Sequence, residues 1–457
     1  MAAIGTDSLK RLLANLLVTE VSSSNNYFVG IGKSDAYNAT DTVINPTRTI
    51  REERIARANL QSVIKIADVS MVAERYNWTS GQTYSSYNDS LVGLPANPFY
   101  VLTEDNEVYI CLQQGKSATG ASVASTIQPS YTLAGVSFKE AFETTDGYRW
   151  KFMYQISSAR ATRFLSANFM PVQTSGWQNP GDSASLNSLQ IEQLNIEISA
   201  TKGQILGANI TNGGSGYSSA PTVTIKGNGS NAAATATINA AGSVVKIETN
   251  NESAACGSGY DIAEFVLSSG SGTTATARPI ISPIGGIGSN AIRDLKASSI
   301  MFNVKPDGQE GGDFIINNDF RQIIVMKDVE EPDSAGIVQT STARALKYLQ
   351  LDSAGATSNF VADALIRGQT SSAGAYIDEI DSAIIYYHQN EATGFGTFVS
   401  SETIADSDTP SITGTISSVN APTDADGFSG EVIYIENRAN VSRSSAQQED
   451  IKVIITI

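Results

Sequence analysis

His388 is the one histidine of the chain, so a Ser-His-Asp or Cys-His mechanism would have to run through it. It closes the run Ile384-Ile385-Tyr386-Tyr387-His388, which reads as a β-strand, and it is expected to be a strand histidine without a catalytic task. Cys111 and Cys256 stand 145 residues apart and, with a single histidine, do not compose the usual zinc sets. Carboxylates are plentiful enough for a glycosidase-like acid/base pair. The cluster Asp378, Glu379 and Asp381 falls in a hairpin, however, where solvated turn residues are expected. Calcium at that cluster, or at Asp313 and Asp319, would lack the regular Asp/Asn spacing and closing Glu of a calcium loop. No Gly-x-x-x-x-Gly-Lys-Ser/Thr run is present. The glycines at 213–216 resemble a dinucleotide turn only loosely, because Pro221, Val223 and Ile225 continue as a strand and not as a helix. No catalytic, cofactor-binding or metal-binding residue is assigned, and no cofactor is expected.

The remaining chemically pointed pattern is basic. Arg48, Arg51, Arg54 and Arg57 recur every three residues on a chain that is otherwise acidic. They fall in a stretch from Pro46 to Ile66 that reads as a helix, with Pro46 near its first turn and Ile50, Ile55, Leu60 and Ile64 on an apolar face. Two readings stand. The arginines form a solvated face that pairs with Glu52 and Glu53, or they form a docking surface for an acidic partner. On the second reading Arg48, Arg51, Arg54 and Arg57 are the candidate subunit interface.

These residues must be held by something, and the pattern says mostly strands. An N-terminal helix is expected first: Leu9, Leu12, Leu13, Leu16 and Leu17 recur at three- and four-residue spacing, capped by Thr6 or Asp7. Strand signals follow the arginines. Tyr100–Thr103 and Val108–Leu112 bracket a polar turn, and Ala375–Ile380 and Ile384–His388 bracket Asp381-Ser382, so two hairpins are predicted. Tyr148, Trp150, Phe152 and Tyr154 alternate with Arg149, Lys151, Met153 and Gln155, and period two places all four aromatics on one core-facing side of a sheet. Such a row also suits sugar or base stacking, and Trp78, Tyr84 and Tyr87 are further aromatics read as exposed. Ile451, Val453, Ile455 and Ile457 alternate as a closing strand tied into a sheet.

Residues 207–281 repeat themselves. Gly214-Ser215-Gly216-Tyr217 returns as Gly257-Ser258-Gly259-Tyr260 at an offset of 43, and Gly227-Asn228-Gly229 returns as Gly270-Ser271-Gly272 at the same offset. Ala-Thr-Ala follows both times, at Ala234–Ala236 and Ala275–Ala277. Short Val/Ile/Thr strands with glycine turns make this a small β-module, each tyrosine being expected over its own turn. Two copies fall short of an array, so a compact insertion over 203–281 is predicted. It would divide a main β domain into 1–202, with two N-terminal helices, and 282–457.

A formal charge of −16, from 46 acidic and 30 basic residues, repels phosphate backbones, so no nucleic-acid partner is expected. Charged residues are only 17% of the chain, which suits a surface packed against other protein. At 457 residues, two or three domains are expected. Two cysteines make no disulfide framework, and free buried thiols are expected in a protein made in a reducing cytosol. Lys10, Arg11 and Asn15 interrupt the apolar N-terminal stretch, and no membrane insertion is expected.

Several ordered stretches resemble a known family. Tyr27-Phe28-Val29-Gly30-Ile31-Gly32-Lys33, Asn97–Thr103 with Asn106–Leu112, and Asp146–Tyr154 are similar to strands of the β-rich baseplate wedge subunit of T-even-like contractile-tail bacteriophages, the gene-product-eight type. Asn318–Ile323, Gly430–Arg438 and Gln448–Val453 continue the resemblance, which covers roughly 1–172 and 282–457 and leaves 203–281 unmatched. The resemblance implies a β-sandwich-dominated fold and a homodimer within each wedge. It also implies contacts with other baseplate wedge subunits, a part in wedge assembly, and a part in the rearrangement that triggers sheath contraction. The expected setting is the virion tail baseplate, the chain being made in the host cytoplasm. The alternative is a receptor- or glycan-binding tail protein, which the repeat module and exposed aromatics would suit. A tail-associated polysaccharide hydrolase rests only on the abundance of carboxylates.

Overall fold

The computed structural model describes the chain apart from residues 1–5, 25, 33–42, 67, 92, 174–186, 250–255, 269, 306–317, 333, 335 and 444–448. Lys33, Asp313 and Gln448, which entered the sequence reading, lie outside the described residues. Strand outweighs helix, 41% against 14%, so the fold is mainly β and sheets build its cores. The residues group into two compact units, one drawn from 1–15, 70–301 and 455–457, the other from 16–69 and 302–454.

In the first unit, Tyr100–Leu102, Glu107–Gln113, Arg149–Gln155 and Ala141–Glu143 form a four-stranded antiparallel sheet in that order. The predicted hairpin of Tyr100 on Ile110 is present. Tyr148, Trp150 and Phe152 face one core together with Tyr84, Tyr109 and Phe142. Tyr154 does not join them. Val108 pairs with Tyr154 and the next residue, Tyr109, pairs with Phe152, so Met153 is skipped. That bulge resets the period-two alternation and turns Tyr154 to the opposite side, where its hydroxyl donates to Pro171 O at 3.0 Å. The expectation of four aromatics on one face is corrected to three. The aromatics read as exposed are also packed: Tyr84 is fully buried edge-on to Trp150, and Tyr87 is buried edge-on to Phe99. Trp78 is half-buried, with Nε1 donating to Ser125 Oγ. The helix Ser188–Ser199 adds Ile196 to this core and starts on a reciprocal cap between Asn187 and Gln190.

The repeat region forms its own small core of Ile205, Tyr217, Val244, Ile247, Tyr260 and Phe265. Its strands pair from the outside inward: Ile205–Asn212 with Thr276–Ile281, Val223–Gly227 with Ala263–Leu267, and Ser230–Ala232 with Cys256–Ser258. The two copies are exchanged. Ser215 bridges Thr273 and, one repeat on in each direction, Ser258 pairs with Ser230. Asn228 Oδ1 accepts from Asp261 N, as Ser271 Oγ accepts from Ser218 N. Each tyrosine therefore covers the glycine turn of the other copy, and Tyr217 also packs against Gly214 of its own turn.

In the second unit a five-stranded antiparallel sheet runs Thr342–Arg344, Leu60–Lys65, Tyr27–Gly32, Asn318–Lys327, Glu431–Arg443. A closed barrel follows, Lys347–Leu351, Ile384–His388, Gly374–Asp381, Leu365–Gly368, Thr403–Asp406, Thr413–Asn420, around a core of Leu349, Ile366, Ile377, Ile385, Ile404 and Ile416. The predicted hairpin of Ala375–Ile380 on Ile384–His388 is two of its strands. The predicted helix over 46–66 is half right. It runs only Ile50–Ala58, and Leu60–Lys65 is a strand inside the sheet. That strand is buried along both sides, Leu60 to Ile64 without a break, so it shows no alternation to tell it from a helix. The C-terminal alternation forms the strand Ile451–Thr456, tied into a sheet, with Ile451 and Val453 buried. Cys111 and Cys256 are buried and are not in a disulfide.

Candidate partner-binding surface

The helix Ile50–Ala58 begins where Thr49 accepts from Glu52 N, and Glu52 and Glu53 sit favourably in its first turn. Arg48 precedes this cap and lies outside the helix, exposed. Steps of three residues fall short of a full 3.6-residue turn, so the arginines drift around the helix and do not share a face. Arg51 and Arg54 end outward, and Arg57 ends inward. The expectation of one four-arginine face is corrected to two arginines on the helix surface.

Arg57 is a structural staple. Its guanidinium is buried and donates to Gly427 O at 3.2 Å, to Ser429 O, to Gly430 O at 2.8 Å and to Glu53 Oε1 at 3.1 Å. These bonds hold the loop that carries Phe428. The same loop is fixed by Asp426 Oδ1, which accepts from Phe428 N at 2.9 Å, and by Ser429 Oγ, which accepts from Glu330 N at 2.8 Å. A second pinned loop faces it. Gln389 Nε2 donates to Gly374 O and Gly396 O, and Asn390 Oδ1 accepts from Ala392 N and Thr393 N. That loop presents Glu391 and Phe395.

Together these elements line a groove of about 380 Å³, whose apolar lining is Ile55, Ala58, Phe395 and Phe428. Arg51, Arg54 and Glu391 stand at its rim. Arg51 Nη2 meets Glu391 Oε2 at 2.7 Å, a pair in which both side chains are largely in water. The contact holds Glu391 below and Arg51 above its ordinary pKa, the hydrogen bond between them being the first cause. Among the described residues Arg54 makes no hydrogen bond or ion pair. Phe395 and Phe428 are 61% and 62% exposed although their backbones are tied down, so their exposure belongs to the fold. Sequence reading missed both. The available signal was an aromatic flanked by turn glycines, Gly394-Phe395-Gly396 and Gly427-Phe428-Ser429-Gly430. Glu391 left no such signal.

Asp378, Glu379 and His388 are drawn into the packing of the barrel. Asp378, expected at a solvated turn, is fully buried, because a bulge that pairs Ile377 with Tyr387 and Glu379 with Tyr386 skips it. It accepts from Gln61 Nε2 at 2.7 Å and lies 2.8 Å from His388 Nδ1. Glu379 is half-buried and paired with Arg344, whose guanidinium covers the Tyr386 ring at 3.6 Å. Among the described residues no three His, Cys, Asp or Glu side chains gather as metal ligands. No helix among them is long and apolar enough to cross a membrane. No protein-family model and no curated protein matches the chain.

Proposed function

We propose that this chain is a non-enzymatic structural subunit of a contractile-tail phage baseplate wedge, of the gene-product-eight type. It acts as a homodimer that binds other wedge subunits, helps the wedge assemble, and takes part in the rearrangement that triggers sheath contraction. What supports the reading is the place of the family-like stretches: 27–32, 97–103, 106–112, 146–154, 318–323 and 430–438 run along framework strands of both units, in chain order. Apolar surface left in water also fits a subunit that other protein covers. Leu9, Leu12, Leu13 and Leu16 of the helix Asp7–Ser24 are each 45–57% exposed, and Phe395 and Phe428 add a second patch.

A subunit-resolved image of an assembled tail tests the proposal. The expected result is a pair of copies enclosed within each wedge. A copy at the particle periphery would give the receptor- or glycan-binding reading instead, and absence from the baseplate would end the proposal.

A further inference from the structure

We propose that the groove between Phe395 and Phe428 binds an acidic segment of a partner protein, one apolar or aromatic side chain seated between the rings and a neighbouring carboxylate held by Arg54 and Arg51. The reading of the chain as an assembling subunit supplies only the identity of that partner; the groove's chemistry stands on its own geometry.

Charge complementarity selects the occupant. The chain as a whole carries −16 and repels acidic ligands, whereas Arg51 and Arg54 reverse the charge locally beside an apolar slot. Glu391 already occupies part of the place that a partner's carboxylate would take. Its pair with Arg51 is exposed on both sides and of the kind worth little in water, so it exchanges readily for another carboxylate. Arg54 stands beside it with no hydrogen bond or close ion pair among the described residues, its charge acting on Glu391 only at longer range. The walls are set in advance, because both phenylalanines sit on hydrogen-bonded loops and lose little freedom on binding. A volume of about 380 Å³ admits one large side chain and its neighbours, not a folded domain.

Fluorescence anisotropy on the full chain, with a labelled peptide of sequence Ser-Asp-Phe-Glu-Ser, tests the inference. Saturable binding is expected that weakens with salt and is lost when the peptide's phenylalanine becomes alanine or its acids become amides. Arg54→Gln and Phe428→Ser should each weaken it about tenfold or more. Glu391→Gln should tighten it by releasing Arg51, a gain that a purely structural Glu391 would not produce. Thermal melting of each variant checks folding, and Phe395→Ser replaces Phe428→Ser if that variant fails to fold. No saturation up to about 5 mM, binding unchanged in both the arginine and phenylalanine variants, or equal binding of a single-stranded oligothymidylate would overturn the proposal. Failure here leaves the location of the chain in a baseplate untouched, and a negative image leaves this binding untouched.

Discussion

Tyr217 lies over Gly272, a glycine of the other copy of the repeat: a Cβ placed on Gly272 would stand 2.5 Å from the tyrosine ring. The mirrored contact joins Tyr260 to Gly229, where the corresponding distance is 2.4 Å. Each copy's turn is covered by the tyrosine of the other, so the two form one core. Gly272→Ala and Gly229→Ala should each cost about 1–3 kcal/mol by overpacking. Tyr217→Ala should relieve the cost of Gly272→Ala and leave that of Gly229→Ala unchanged. Urea unfolding of the single and double variants measures this coupling; additive losses in both pairs would show that the exchange has no energetic weight.

Trp150 is fully buried, stacked on Tyr148 at 5.7 Å and met edge-on by Tyr84. Trp150→Ala should cost about 3–5 kcal/mol through lost burial and a residual cavity. An unchanged melting temperature would mean that this side of the sheet is not a core.

Arg57 and Arg54 should separate cleanly, although they stand three residues apart in one basic run of the sequence. Arg57→Ala leaves the carbonyls of Gly427, Ser429 and Gly430 without their charged donor and should cost about 1.5–3 kcal/mol. Arg54→Gln should leave stability within about 0.5 kcal/mol, as exposed substitutions do. Equal thermal melts for the two variants would contradict the assignment of Arg57 as the staple.

Asp363 carries a pH dependence of definite sign. Asp363 is exposed as a residue, yet partial desolvation of its carboxyl, with Asp319 and Asp378 nearby and Arg321 and His388 opposing them, raises it from 3.8 to about 6. Between those values the folded chain holds a proton that the unfolded chain has lost, so this group's contribution to stability falls as pH rises and is unfavourable above about 6. Asp363→Asn should therefore raise the melting temperature at about pH 7.5 by more than at about pH 4. The residue's left-handed backbone, φ 66°, suits asparagine, and that benefit is the same at both pH values. A gain independent of pH would refute the shifted carboxylate.

What the sequence determined by itself was local. Turn residues between apolar runs placed the hairpins at 100–113 and 374–388, and leucine spacing with a Thr6 cap placed the helix Asp7–Ser24. Hairpin registry and helix caps are settled within a few residues, so a reader of the sequence meets all the participants together. Tertiary structure decided where a strand skips a residue, and with it where side chains point. The bulge at Met153 turned Tyr154 away from Trp150, and the bulge at Asp378 buried a carboxylate that hairpin spacing placed in water. It also decided the fate of the arginines. Arg57 is buried because a loop some 370 residues away offers three carbonyls, whereas Arg51 and Arg54 stay at the surface beside two phenylalanines from distant loops. A side chain's partner across such a separation is chosen by how sheets pack, and no spacing along the chain records it.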